Sequence, residues 1–69
     1  MRREYNDDYL FAVELMIRGM VTRIRYLSDL AIQCKRAGLD GLASKYIDRI
    51  ELCARGLGRL KKYYKTIKN

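Results

Sequence analysis

Arginine side chains in the middle of this 69-residue chain are the groups whose chemistry is easiest to state. Arginine presents a planar fork of N–H donors that pairs with a carboxylate or a phosphate through two hydrogen bonds. No acidic residue lies between Glu14 and Asp29, or after Glu51, to neutralise them. The arginines, called here the arginine belt, are Arg18, Arg23, Arg25, Arg55 and Arg59. The sequence predicts that the belt contacts an acidic surface or a polyanion; the alternative is a solvated polar face.

The last ten residues combine four lysines with two tyrosines and contain no acidic residue. Lysine neutralises phosphate and tyrosine stacks on bases, so this mixture is typical of nucleic-acid surfaces. Acidic residues near the N-terminus would lie beside this tail in a hairpin and offset part of its charge. A basic amphipathic tail lying on an anionic membrane is a further alternative. The polyanion contacts predicted in addition to the belt are Tyr26, Lys61, Lys62 and Lys65.

Catalysis and metal binding find little support in the composition. The chain has no histidine, its acidic residues do not pair on an apolar face, and its serines have no base at helical spacing. Its two cysteines, Cys34 and Cys53, do not form a ligand cluster. In a hairpin they would be offset by roughly 13 Å, which is too far for a disulfide. We therefore predict a non-enzymatic protein without cofactor or metal, with reduced thiols.

The charge balance indicates the kind of partner and the compartment. Fifteen lysines and arginines against eight acidic residues give a net charge of +7, which favours polyanionic partners. No uncharged run approaches the roughly 18 residues that a membrane span requires. The N-terminal residues also lack the apolar segment of a signal peptide. We expect no membrane span and a cytoplasmic location, in keeping with reduced cysteines.

Two ladders of apolar residues must position all of these groups. In each ladder, residues recur alternately four and three positions apart, which keeps one seam facing a neighbouring helix. The first runs from Leu10 to Cys34 and the second from Leu39 to Ile67. Gly38 lies between them as a left-handed helix stop. Asp40 is the expected N-cap of the second helix, which should run from about Gly41 to Lys65. The sequence predicts one all-α domain over residues 1–69, an antiparallel hairpin of two long helices with its turn at about 38–40.

The apolar residues outnumber what one seam requires. A helix with a single neighbour needs roughly two apolar positions per heptad, whereas a helix inside a bundle needs about three. The predicted apolar interface comprises Phe11, Leu15, Met16, Val21, Leu30, Leu42, Ile47 and Tyr63. We expect the hairpin to be completed to a four-helix bundle, either by a second copy or by the helices of another protein.

Three glycines inside the predicted helices interrupt this pattern at one height of the hairpin. They are Gly19, Gly56 and Gly58, and each costs roughly 1 kcal/mol relative to alanine in a helix. One interpretation is that the second helix breaks or bends at Gly56–Gly58. The other is that a backbone or ligand approaches the hairpin closely at this height. The sequence does not choose between them.

Two functional hypotheses follow. The first is a small, non-enzymatic interaction module of the kind used as assembly factors, co-chaperones, inhibitors or accessory subunits, with the belt on an acidic surface. The alternative is a nucleic-acid-binding regulatory protein that acts as a basic four-helix dimer on RNA or DNA. That architecture is similar to the hairpin dimers that regulate plasmid copy number by binding RNA. The likeness is one of topology, with no matching residue motif.

Overall fold

The computed structural model describes residues 7–68, which form two α-helices joined by a tight turn. Helix α1 spans Asp7–Arg36 and helix α2 spans Asp40–Lys68. The two helices pack against each other along their length as a hairpin. Both begin with acidic residues and end with basic ones, which suits the helix dipoles. The predicted all-α hairpin is confirmed, and its completion to a four-helix bundle stays a prediction.

The turn is fixed by a left-handed glycine. Gly38 has a φ of +78°, a conformation that side-chain-bearing residues rarely adopt. The N–H of Leu39 donates to the carbonyl of Cys34 at 2.8 Å, and the N–H of Gly38 donates to the carbonyl of Lys35 at 3.0 Å. This pair of bonds is a Schellman motif, which satisfies the last carbonyls of α1. The predicted stop at Gly38 is confirmed.

Helix α2 is longer at both ends than the sequence predicts. The carbonyl of Leu39 accepts the first helical bond, from the N–H of Ala43 at 3.0 Å. Leu39 is therefore the N-cap residue, and the predicted N-cap at Asp40 is wrong by one position. The helix continues to Lys68 instead of ending near Lys65. Ile67 is buried in the last turn, and this burial holds the turn against α1.

The seam between the helices is thin. The buried apolar residues are Val13, Ala31, Cys34, Ala43 and Ile67. Other ladder residues are half-buried, except Leu39, which stays 52% exposed at the turn. No large side chain among residues 7–68 is fully buried. Both cysteines are free thiols, as expected from their offset. The hairpin thus buries one seam and leaves its flanks open.

Helix α2 is continuous through Gly56–Gly58, so of the two interpretations that the sequence left open, the break does not occur. A methyl group built at Gly56 would lie 3.0 Å from Cε of Met20, whereas nothing lies within 4 Å of the same position at Gly19 or Gly58. The close neighbour at Gly56 is therefore the hairpin's own α1. The helix passes through this region unbroken, with Leu57 between the two glycines and Leu60 after them half-buried in the seam.

Candidate interaction surfaces

The seam divides the surface of the hairpin into two flanks. On one flank, the hydroxyls of Tyr9 and Tyr63 lie 2.5 Å apart and share a hydrogen bond. On the other, the hydroxyl of Tyr64 donates to the carboxylate of Glu14 at 2.8 Å. These contacts join α1 to α2 near the open end of the hairpin. We call the two sides the tyrosine flank (Tyr9 and Tyr63) and the glutamate flank (Glu14).

Large apolar side chains remain exposed on both flanks and at the turn. Their exposed fractions range from 40% to 63%. They are Tyr9, Phe11, Leu15, Met16, Tyr26, Ile32, Leu39, Leu42, Ile47, Leu52 and Tyr63. Six of the eight predicted interface residues belong to this set. The other two, Val21 and Leu30, are half-buried.

A groove on the tyrosine flank lies close to the turn. It has a volume of about 420 Å³, and its apolar lining includes Leu27, Leu42, Tyr46 and Leu52. Lys45 and Arg49 also line it, together with the carboxylate-bearing Asp48. Leu42, Lys45, Arg49 and Leu52 are spaced by three, four and three residues, so they form one line along α2. We call these four residues the leucine strip.

The glutamate flank carries two further cavities. The one near the turn measures about 390 Å³, with Ile32, Ile47 and Ile50 in its lining and Lys35 and Arg36 at its edge. Ile32 on α1 and Ile47 on α2 are each about half exposed. This cavity is an apolar depression with basic residues on one side.

The second cavity of the glutamate flank lies near the open end and gathers three basic residues. It measures about 290 Å³ and is lined by Ile17, Tyr64 and Glu14 together with three cations. The cations are Arg18, Lys61 and Lys65. The structure thus brings one belt arginine together with two of the predicted tail lysines around a partly apolar depression.

The rest of the arginine belt is distributed around the hairpin. All five belt residues are exposed. Arg23 follows Met16 by seven residues and shares the tyrosine flank, whereas Arg25 follows Arg18 by seven and shares the glutamate flank. Within residues 7–68, no ion pair joins these arginines to a carboxylate. The belt surrounds the hairpin and does not form a single patch.

Tyrosine side chains differ in their surroundings. Tyr26 is 63% exposed, whereas Tyr46 is half-buried. Tyr64 is half-buried on the seam, with the amine of Lys68 lying 5.6 Å from its ring centre. The hydrogen bond to Glu14 raises the pKa of Tyr64, because a tyrosinate would face the carboxylate; desolvation adds to this rise.

Among residues 7–68, no three cysteine, aspartate or glutamate side chains come together as a metal site would require. Neither helix in this range is long and apolar enough to cross a membrane.

No family model matches the chain, and no curated protein or solved structure is significantly similar to it. Its function is therefore inferred from the surfaces of the hairpin alone.

Proposed function

We propose that this chain is a small, non-enzymatic interaction module whose hairpin is completed to a four-helix arrangement by helices of another chain. That chain is a second copy or a different protein. The supporting observation is that eleven large apolar side chains are 40–63% exposed, against only five buried apolar residues in the described range. Contiguous apolar surface with a polar rim is typical of protein interaction sites.

The energetics of burial support completion by helices. Full burial of a leucine or phenylalanine side chain contributes about 1.5–3 kcal/mol, so burying the exposed half of one contributes on the order of 1 kcal/mol. Phe11, Leu15 and Ile47, at 56%, 49% and 42% exposure, each offer such a gain. Several of these together offset the loss of translational and rotational freedom on association, about 4–15 kcal/mol.

Thermal unfolding followed by circular dichroism tests this proposal, at two protein concentrations about a hundredfold apart. A second copy makes the Tm rise with concentration. If the missing helices belong to another protein, the isolated chain unfolds without a cooperative transition and binds a hydrophobic dye. A cooperative transition that is independent of concentration, without dye binding, would contradict the proposal.

Nucleic-acid binding is the second candidate function, as a basic four-helix dimer. It is supported by the cavity that gathers Arg18, Lys61 and Lys65, and by the absence of any acidic residue after Glu51. The affinity for a labelled RNA or DNA duplex should fall steeply with salt, because bound phosphates release counterions. Arg18→Glu should abolish binding, and Arg49→Glu, which makes the same change of charge at the groove of the tyrosine flank, should reduce it much less. Binding that ignores both salt and Arg18→Glu would exclude this function.

The proposal involves no catalytic centre, cofactor or metal, and it assigns the chain to a reducing compartment such as the cytoplasm. Supporting this assignment, Cys34 is buried and Cys53 half-buried on the seam as free thiols. Structural thiols of this kind behave as small apolar groups. Oxidising conditions should therefore leave the hairpin without an intramolecular disulfide, which mass spectrometry under non-reducing conditions would show.

A further inference from the structure

The charges on the tyrosine flank are almost all positive, whereas those on the glutamate flank are of both signs. The helical positions of the tyrosine flank carry Arg23, Lys45, Arg49 and Arg59, and the one carboxylate at its groove belongs to Asp48. The glutamate flank carries both signs, since Glu14 lines the same cavity as its lysines. The tyrosine flank therefore combines exposed apolar side chains with an almost uniformly positive border.

We propose that the leucine strip on this flank binds an amphipathic helix of a different protein, with acidic residues beside its apolar face. This inference rests on the proposed function above and names the partner of one flank. Leu42 and Leu52 are 43% and 61% exposed, and the two cations of the strip lie between them. A partner helix would place apolar side chains on the leucines and carboxylates on Lys45 and Arg49.

The geometry of the strip suits a helix. Ten residues separate Leu42 from Leu52, about 15 Å along the axis, which matches roughly three turns of a partner helix. The groove beside the strip includes Leu27 and Tyr46 of the seam, so an inserted side chain would meet apolar atoms. Arg49 adds geometric selectivity, because its guanidinium pairs with a carboxylate through two hydrogen bonds.

A second copy of this chain is a poor occupant of the strip. A two-fold dimer presents the same patch from each subunit, so the strip would face itself. Lys45 and Arg49 of one subunit would then meet the same cations of the other, with only Asp48 to compensate. Juxtaposed like charges in an interface are unfavourable by several kcal/mol. Charge complementarity thus selects a partner of opposite sign.

The probe for this proposal is a displayed library of amphipathic helices of about 20 residues, a length at which isolated helices begin to form. The apolar stripe is constant, and the bordering positions vary among Glu, Gln and Lys. The full-length chain serves as bait. We expect enrichment of Glu at the border. A bait carrying Lys45→Glu and Arg49→Glu should instead enrich Lys.

Matched serine variants locate the binding site. Leu52→Ser should weaken binding of an enriched helix at least about tenfold, which corresponds to a change of about 1.4 kcal/mol. Ile32→Ser is the control on the glutamate flank, where the side chain is also half exposed, and should leave the affinity within about twofold. Circular dichroism of both variants verifies that the hairpin is retained.

Three outcomes would overturn the inference: no helix is enriched, enrichment shows no preference for Glu, or the two serine variants weaken binding equally. A dimer that dissociates on Leu52→Ser would also overturn it, because the strip would then be a contact between copies. That last outcome leaves the proposed function intact. A cooperatively folded monomer that enriches no helix contradicts both.

Discussion

Met20 of α1 packs over Gly56 of α2, and alanine substitution tests this contact. A methyl group at Gly56 would lie 3.0 Å from Cε of Met20, whereas one at Gly58 would meet nothing within 4 Å. Both glycines lie inside α2, where alanine is favoured over glycine by about 0.8–1.0 kcal/mol. Gly58→Ala should therefore raise the free energy of unfolding by about 1 kcal/mol.

Gly56→Ala should raise the free energy of unfolding through the same helix preference, but a steric clash with Met20 should lower it. A carbon–carbon distance of 3.0 Å is shorter than the optimum of about 3.5–4.0 Å, so the tip of Met20 must move. Overpacking costs about 1–3 kcal/mol, and the low end applies because methionine has three rotatable side-chain bonds. The two terms nearly cancel. In a Met20→Ala background the gain of about 1 kcal/mol should reappear.

Urea unfolding followed by circular dichroism measures this cycle, with all variants at one protein concentration. The expected coupling between positions 20 and 56 is about 1 kcal/mol, and none is expected between positions 20 and 58. If Gly56→Ala stabilised the parent chain as much as Gly58→Ala does, Met20 would not lie over Gly56.

Three other substitutions test the turn, the tyrosine–carboxylate bond and the open glycine of α1. Gly38→Ala should lower the free energy of unfolding by about 1–2 kcal/mol in urea, because alanine resists a φ of +78°; Gly38→Asn should cost less. The raised pKa of Tyr64 means that its bond to Glu14 stabilises the fold below the usual tyrosine pKa and ceases to do so as pH rises through the raised value. Tyr64→Phe should therefore flatten the decline of Tm above about pH 10, and parallel Tm curves would contradict this. Gly19→Ala should stabilise the hairpin by about 1 kcal/mol, since nothing lies within 4 Å; a loss would place another chain over it.

The sequence was sufficient for the fold because heptad spacing and one glycine encode it directly. Gly38 has the positive φ that its place in the pattern requires. The prediction ended α2 near Lys65, although the ladder reaches Ile67, because no local stop signal marks the end of the helix; burial of Ile67 against α1 accompanies its continuation to Lys68. The sequence also left the surroundings of Gly56 open, since glycine is compatible both with a helix break and with a close neighbour such as Met20.

The surfaces were predicted less completely than the fold. A heptad position gives the direction of a side chain but not its depth, which depends on the sizes of its neighbours. Val21 and Leu30 are half-buried, while Leu52, outside the predicted interface, is 61% exposed. Charged residues that are close in sequence need not lie on the same face of the hairpin. Arg23 and Arg25 are two residues apart, yet their helical positions place them on opposite flanks.

The mass of the chain in solution, measured by light scattering over about a tenfold concentration range, tests most directly whether the hairpin is incomplete alone. About 0.5 M salt removes bound polyanion, since such contacts weaken steeply with salt. We predict a mass that is a multiple of 8.2 kDa, or a monomer without cooperative unfolding that awaits a partner's helices. A mass of 8.2 kDa together with a cooperative unfolding transition would contradict this account.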